Sequence, residues 1–166
     1  MPARPVRIPL AGSVSAAEAA LLLRGDERPF ALSGDWADGA ALVGSQPLTV
    51  AGEGDDPFAL LDRQPAVEAG DAVVGGGWFG YLGYALGARL ERVPSAPRRP
   101  VPLPEFALAF YDHLLRLDAY GQWWFEALWT AEREAALNER LDVLRARLAG
   151  GVERRPAAHA ARPDVR

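Results

Sequence analysis

The chain has 166 residues and a formal net charge of −4, enough for one packed domain and too few for two full ones. An acidic balance argues against a nucleic-acid partner, which would want a basic stripe along the phosphates. Cysteine is absent and all 18 basic residues are arginine, which excludes disulfides, thiolate metal sites, a cysteine nucleophile, Schiff-base lysines and a P-loop lysine. In chain order, Met1 to Leu10 is cut by Pro2, Pro5 and Pro9 and has no long apolar stretch, so it does not read as a secretory signal. No run approaches the ~20 apolar residues of a bilayer span, and a cytoplasmic protein is the expectation. Val6 to Leu10 reads as a short strand. Ser15-Ala-Ala-Glu18 has capping-box spacing and opens a helix with Ala17, Leu21 and Leu22 on its apolar face, ended by Gly25-Asp26.

Pro29 to Ser33 and Ala40 to Ser45 read as the strands of a hairpin joined by Gly34-Asp-Trp-Ala-Asp-Gly39, and Leu48 to Ala51 extends that sheet. Gly52 to Asp56 is a polar loop. Asp56 caps a short helix that starts at Pro57, where a missing N–H costs nothing, and Phe58, Leu60 and Leu61 supply its buried side. Asp71 to Tyr84 is apolar and dense in glycine, and Leu86 to Leu90 follows as a short helix. Five prolines between Val93 and Pro104 predict an extended, solvent-facing connection.

Phe106 to Tyr120 and Gln122 to Trp129 are the clearest strands and form a hairpin about Tyr120-Gly121. Along the second, Trp123, Phe125, Ala127 and Trp129 alternate with Trp124, Glu126 and Leu128. Thr130 is the expected cap of the longest helix. Its stripe is Leu137, Leu141, Leu144 and Leu148; Glu132 and Glu134 stand in its first turn, Arg145 and Arg147 in its last, and Gly150-Gly151 stops it. Residues 1–150 thus form one α+β domain, mostly antiparallel, and 151–166 read as a linker or tail.

Few motifs carry chemistry. Gly75-Gly-Gly-Trp-Phe-Gly80 satisfies G-x-G-x-x-G, but bulky residues follow, no helix starts there and no βαβ unit surrounds it. Close backbone packing explains those glycines better than a dinucleotide does. The aromatic groups Trp78/Phe79/Tyr81/Tyr84 and Trp123/Trp124/Phe125/Trp129 have no basic neighbours, so core packing or a domain interface is the better reading than a base-stacking platform. Glu53, Asp55 and Asp56 lack EF-hand spacing. His113 and His159 show no catalytic or metal-binding partner in the sequence, and no carboxylate pair stands out as acid and base.

Three stretches in register resemble the N-terminal domain shared by anthranilate synthase component I and aminodeoxychorismate synthase component I. They are Pro29-Phe-Ala-Leu-Ser-Gly-Asp-Trp36 with Ala40-Ala-Leu-Val-Gly-Ser-Gln-Pro47, then Gly76-Gly-Trp-Phe-Gly-Tyr-Leu-Gly-Tyr84, then Leu103-Pro-Glu-Phe-Ala-Leu-Ala-Phe-Tyr-Asp112. The resemblance covers most of residues 6 to 150. It implies a non-catalytic domain whose enzyme carries a larger, downstream chorismate-binding domain with Mg²⁺, and which receives ammonia from a glutamine amidotransferase. Nothing after Gly151 resembles that catalytic domain, so no catalytic residue and no cofactor is expected in this chain.

The family's N-terminal domain also helps form an L-tryptophan pocket. By that resemblance the candidate pocket residues are Ser33, on the leucine-serine strand, and Ala37, Asp38, Gly39 and Ala40 on the approach to the return strand. Two departures bear on tryptophan binding: Gly39-Ala40-Ala41 replaces the usual arginine-tyrosine, and Ala85 replaces the aspartate usual after the last motif tyrosine. The serine-glycine pair leans towards the aminodeoxychorismate branch. The anthranilate branch and a stand-alone binding module are the alternatives.

Overall fold

The computed structural model describes residues 2–92 and 103–151. Most of the predicted proline-rich connection and the predicted tail lie outside the described residues. The elements are β1 (Arg4–Leu10), α1 (Ala16–Leu22), β2 (Phe30–Trp36), β3 (Gly39–Gly44), β4 (Thr49–Val50), α2 (Pro57–Asp62), β5 (Gly77–Leu82), a 3₁₀ turn (Tyr84–Leu86), α3 (Gly87–Leu90), β6 (Phe106–Tyr111), β7 (His113–Asp118), β8 (Trp123–Trp129) and α4 (Glu134–Gly150). They build an α+β fold with two antiparallel sheets: five strands in the order β1-β8-β7-β3-β2, and three in the order β4-β6-β5.

The main core lies between the larger sheet and the two helices that cover it. Leu10, Val43, Leu115, Trp123 and Phe125 face Ala19 and Leu23 at α1 and the stripe Leu137, Leu141, Leu144 and Leu148 of α4. Trp123 is fully buried, and its indole N–H donates to the Val14 carbonyl at 2.9 Å. The predicted capping box is present: the Ser15 hydroxyl accepts from Glu18 N–H, and the Glu18 carboxylate accepts from Ser15 N–H at 2.8 Å. Such a cap contributes about 1 kcal/mol. A smaller core sits under the second sheet, where Leu86, Phe106 and Leu108 meet Ala51, Phe58, Leu61 and Trp78.

Three elements depart from the sequence reading. The strand expected from Phe106 to Tyr120 breaks at Asp112 into β6 and β7, which belong to different sheets. The buried Asp112 carboxylate turns to His113 and Arg133, and its carbonyl accepts from Leu128 N–H at 2.8 Å. β4 does not extend the β2–β3 sheet; it pairs with β6 through Thr49↔Phe110 and Val50↔Ala109. The long helix starts at Glu134, because Thr130 to Arg133 forms a turn in which Arg133 N–H donates to the Thr130 carbonyl.

Candidate functional site

The register β5↔β6 sets Gly77, Phe79 and Tyr81 beside Tyr111, Ala109 and Ala107, and alternation places all six on one face of the small sheet. This face floors an open cleft of about 680 Å³. The small side chains of Ala107 and Ala109 leave the space. Phe30, Phe79 and Tyr111 pack together at its side: Phe30 stacks on Phe79 at 4.4 Å between centroids, and Tyr111 meets Phe30 edge-on at 4.8 Å. The Tyr111 hydroxyl donates to the Arg28 carbonyl at 2.7 Å and so fixes a residue held at φ 42°. Burial pushes the Tyr111 pKa up, which keeps that hydroxyl a donor. Arg28, Glu53 and the Arg89–Glu105 ion pair also line the cleft. The arrangement suits apolar contact with charged groups of both signs around it; among the described residues it presents no nucleophile with an adjacent base.

The five residues implied by the resemblance gather at the tip of the β2–β3 hairpin. Ser33 pairs with Ala41, and the register then shifts before Trp36 pairs with Gly39. Ala37 and Asp38 form the turn at φ 49° and 54°, the left-handed pair of a two-residue hairpin turn. Gly39 is buried where a Cβ would stand 2.4 Å from the Leu117 carbonyl oxygen. Ser33, Ala37, Asp38 and Ala40 are exposed, and none of the five lines the cleft. The cleft instead takes Arg28, Pro29 and Phe30, from the opposite end of the same strand.

A line of ionisable groups runs between α4 and the larger sheet. Asp26 accepts from Arg140 Nη2 at 2.6 Å, Arg147 Nη1 at 2.8 Å and Ser45 Oγ at 2.8 Å. Arg140 Nε donates to His113 Nε2 at 3.1 Å, and His113 Nδ1 bonds Asp112 at 2.8 Å. Arg133 closes the line on Asp112. A second pair, Arg116 and Glu126, is 4% and 0% exposed, with 2.7 Å between Nε and Oε1. Ser45, His113 and Asp112 are all buried, so this line ties α4 to the sheet instead of meeting a substrate.

Burial raises the pKa of Asp26 and of Asp112, but hydrogen bonds from their arginine, serine and histidine partners outweigh it and hold both carboxyls below the ordinary 3.8. A depressed carboxylate pKa stabilises the fold fully above the unfolded value and loses that contribution as pH falls through the folded value. Melting temperature should therefore be flat down to about pH 4 and fall below it. Asp112→Asn should lower it at neutral pH and make the acid limb shallower; an equally steep limb in thermal melts of Asp26→Asn and Asp112→Asn would refute the assignment.

The glycine motif has a structural occupant. Glu126 accepts from the N–H groups of Val74 and Gly75 at 2.7 and 3.1 Å, so an internal carboxylate takes donors that a phosphate loop would aim at its ligand. In the acidic loop, Asp55 accepts from Gly52 N–H and Asp56 caps α2 through Phe58 N–H. Among the described residues no group of three His, Asp or Glu side chains is placed to hold a metal ion, and no helix is long and apolar enough to cross a membrane. No protein-family model matches the chain, and no curated protein matches it.

Proposed function

We propose that the chain is the non-catalytic N-terminal domain of a chorismate-aminating enzyme of the aminodeoxychorismate branch, serving 4-amino-4-deoxychorismate formation for p-aminobenzoate and folate synthesis. One observation carries this reading: the aromatic cluster takes one ring from each of the three stretches that resemble the family. Phe30 comes from the first, Phe79 from the second and Tyr111 from the third. That the three stretches meet in one packed cluster supports reading them together as one unit. In this reading chorismate and Mg²⁺ belong to a chorismate-binding domain, in cis or on a separate chain, and a glutamine amidotransferase supplies ammonia. No step of the reaction is placed on this chain. Ser33 and Ala37 to Ala40 remain the candidate tryptophan contacts, at a hairpin tip where four of the five are exposed.

The test is complementation of a p-aminobenzoate auxotroph. The chain together with a chorismate-binding domain should restore growth without p-aminobenzoate, and neither should do so alone. Equal growth with the chorismate-binding domain alone, or magnesium-dependent product from chorismate and ammonia with this chain alone, would sink the reading. Feedback inhibition of the reassembled enzyme by L-tryptophan would move it to the anthranilate branch.

A further inference from the structure

A sheet ends in rows of unpaired N–H and C=O groups, and soluble proteins blunt such edges with prolines, charges, bulges or shortness. Three of the four sheet edges here are treated in that way. β1 carries Pro5, Pro9, Arg4 and Arg7, and the segment around Ala66 to Asp71 covers it, with Ala3 N–H donating to Ala66 and Asp71 N–H to Pro5. β2 is bulged between Ser33 and Trp36 and carries Asp35. β4 has two residues.

β5 is the exception. Its six residues, Gly77-Trp-Phe-Gly-Tyr-Leu82, include no charge and no proline. Gly83 N–H donates to the Glu105 carbonyl at 2.7 Å, so by antiparallel alternation Tyr81, Phe79 and Gly77 bond to β6. The N–H and C=O groups of Trp78, Gly80 and Leu82 then point away from β6, at the edge of the sheet. Tyr81 and Leu82 are 43% and 45% exposed, and Tyr84, just past the strand, is 97% exposed.

We propose that β5 is the interface for a second copy of this chain, the two β5 strands pairing antiparallel about a two-fold axis at Gly80. The strand is self-complementary in that register alone among those that join outward groups symmetrically about its own centre. Gly80 meets Gly80 of the second copy, and Trp78 meets Leu82, so every outward donor finds an acceptor. Phe79 then lies opposite Tyr81 on one face of the joined sheet, an aromatic cross-strand pair of the kind that stabilises sheets. No like charges meet across the pair. An isologous contact of this kind closes on itself and leaves no free β5 edge to propagate. The inference does not rest on the proposed function.

Light scattering on the full chain from micromolar to about 1 mM should show mass rising from 17.8 kDa towards twice that value. Amide exchange should slow with concentration at Trp78, Gly80 and Leu82, while Phe79 and Tyr81, bonded to β6, stay protected throughout. Tyr81→Lys and Leu82→Lys each place a charge at the edge and should weaken the dimer at least tenfold. Ala31→Lys, at an exposed position on β2, should leave it intact. A monomer at every concentration, or a dimer in which the three outward amides exchange at the monomer's rate, overturns the proposal.

Discussion

Replacing Glu126 by alanine is expected to cost about 3–5 kcal/mol, the loss found when one partner of a buried ion pair is removed. Glu126 is fully buried, and its two oxygens serve three donors: Arg116 Nε on one side, and the Val74 and Gly75 N–H groups on the other. Alanine leaves a guanidinium only 4% exposed without its carboxylate, and it orphans two backbone donors. Each buried orphan adds a desolvation penalty of about 1–3 kcal/mol, so the loss should fall at the top of the range. In a domain of this size it should lower the melting temperature by roughly 10 °C or more. Glu126→Gln should cost less, because its amide oxygen still accepts from the Gly75 region. Arg116→Met combined with Glu126→Gln should recover part of the loss, since it removes both charges and keeps the acceptor. A double variant no better than Glu126→Ala in equilibrium unfolding would mean that the charges stabilise the fold by more than their burial costs.

The consequence would be local as well as global. Glu126 stands on β8 of the larger sheet, and Gly75 leads into β5 of the smaller one. The carboxylate is therefore a tie between the two sheets. Its removal should raise exchange at β5 before it raises exchange at β7, where Leu115 is buried in the core with the α4 stripe.

Much of the fold follows from local patterns that a reader of the sequence can see. The Ser15-Glu18 box, the leucine spacing of α4 and the alternation of β8 each act through a few neighbouring residues, and each stands in the structure as the pattern implies. What escaped depends on contacts between distant positions. The break at Asp112 is invisible locally because strand-forming residues lie on both sides, while one partner of its buried carboxylate, Arg133, is 21 positions away. The Asp26–Arg140 contact spans 114 positions. A signal existed there, because Arg140 falls on the buried stripe between Leu137 and Leu144, and a charge on an apolar face needs a buried partner. Glu126 gave a similar hint, as an acid in the middle of a strand otherwise aromatic and aliphatic. The cleft had no comparable signal: its space comes from Ala107 and Ala109, ordinary strand residues until Phe30 and Phe79 are seen to rise beside them.

Gly80→Ala is the second large effect expected, and it bears on what the glycine motif is for. Gly80 has φ +150°, a region that residues with a Cβ rarely adopt, and an added Cβ would lie 1.8 Å from the Ala107 carbonyl oxygen and 3.0 Å from the Leu108 Cα. The backbone strain alone costs about 1–3 kcal/mol. The contact is with the neighbouring strand's backbone, not with a side chain that can rotate, so β5 must move off β6 to relieve it. The small core of Leu86, Phe106 and Leu108 should then loosen as a unit while the main core holds. The expected result is a lower melting temperature, loss of amide protection on β5 and β6, and near-native protection on β7 and β8. Gly87→Ala is the control: a Cβ there meets nothing within 4 Å, and it should be neutral or slightly stabilising because alanine favours the helical backbone. Equal effects of the two replacements would show that the motif's glycines are not held by strand contact, and would reopen the reading of Gly75 to Gly80 as a ligand-binding loop.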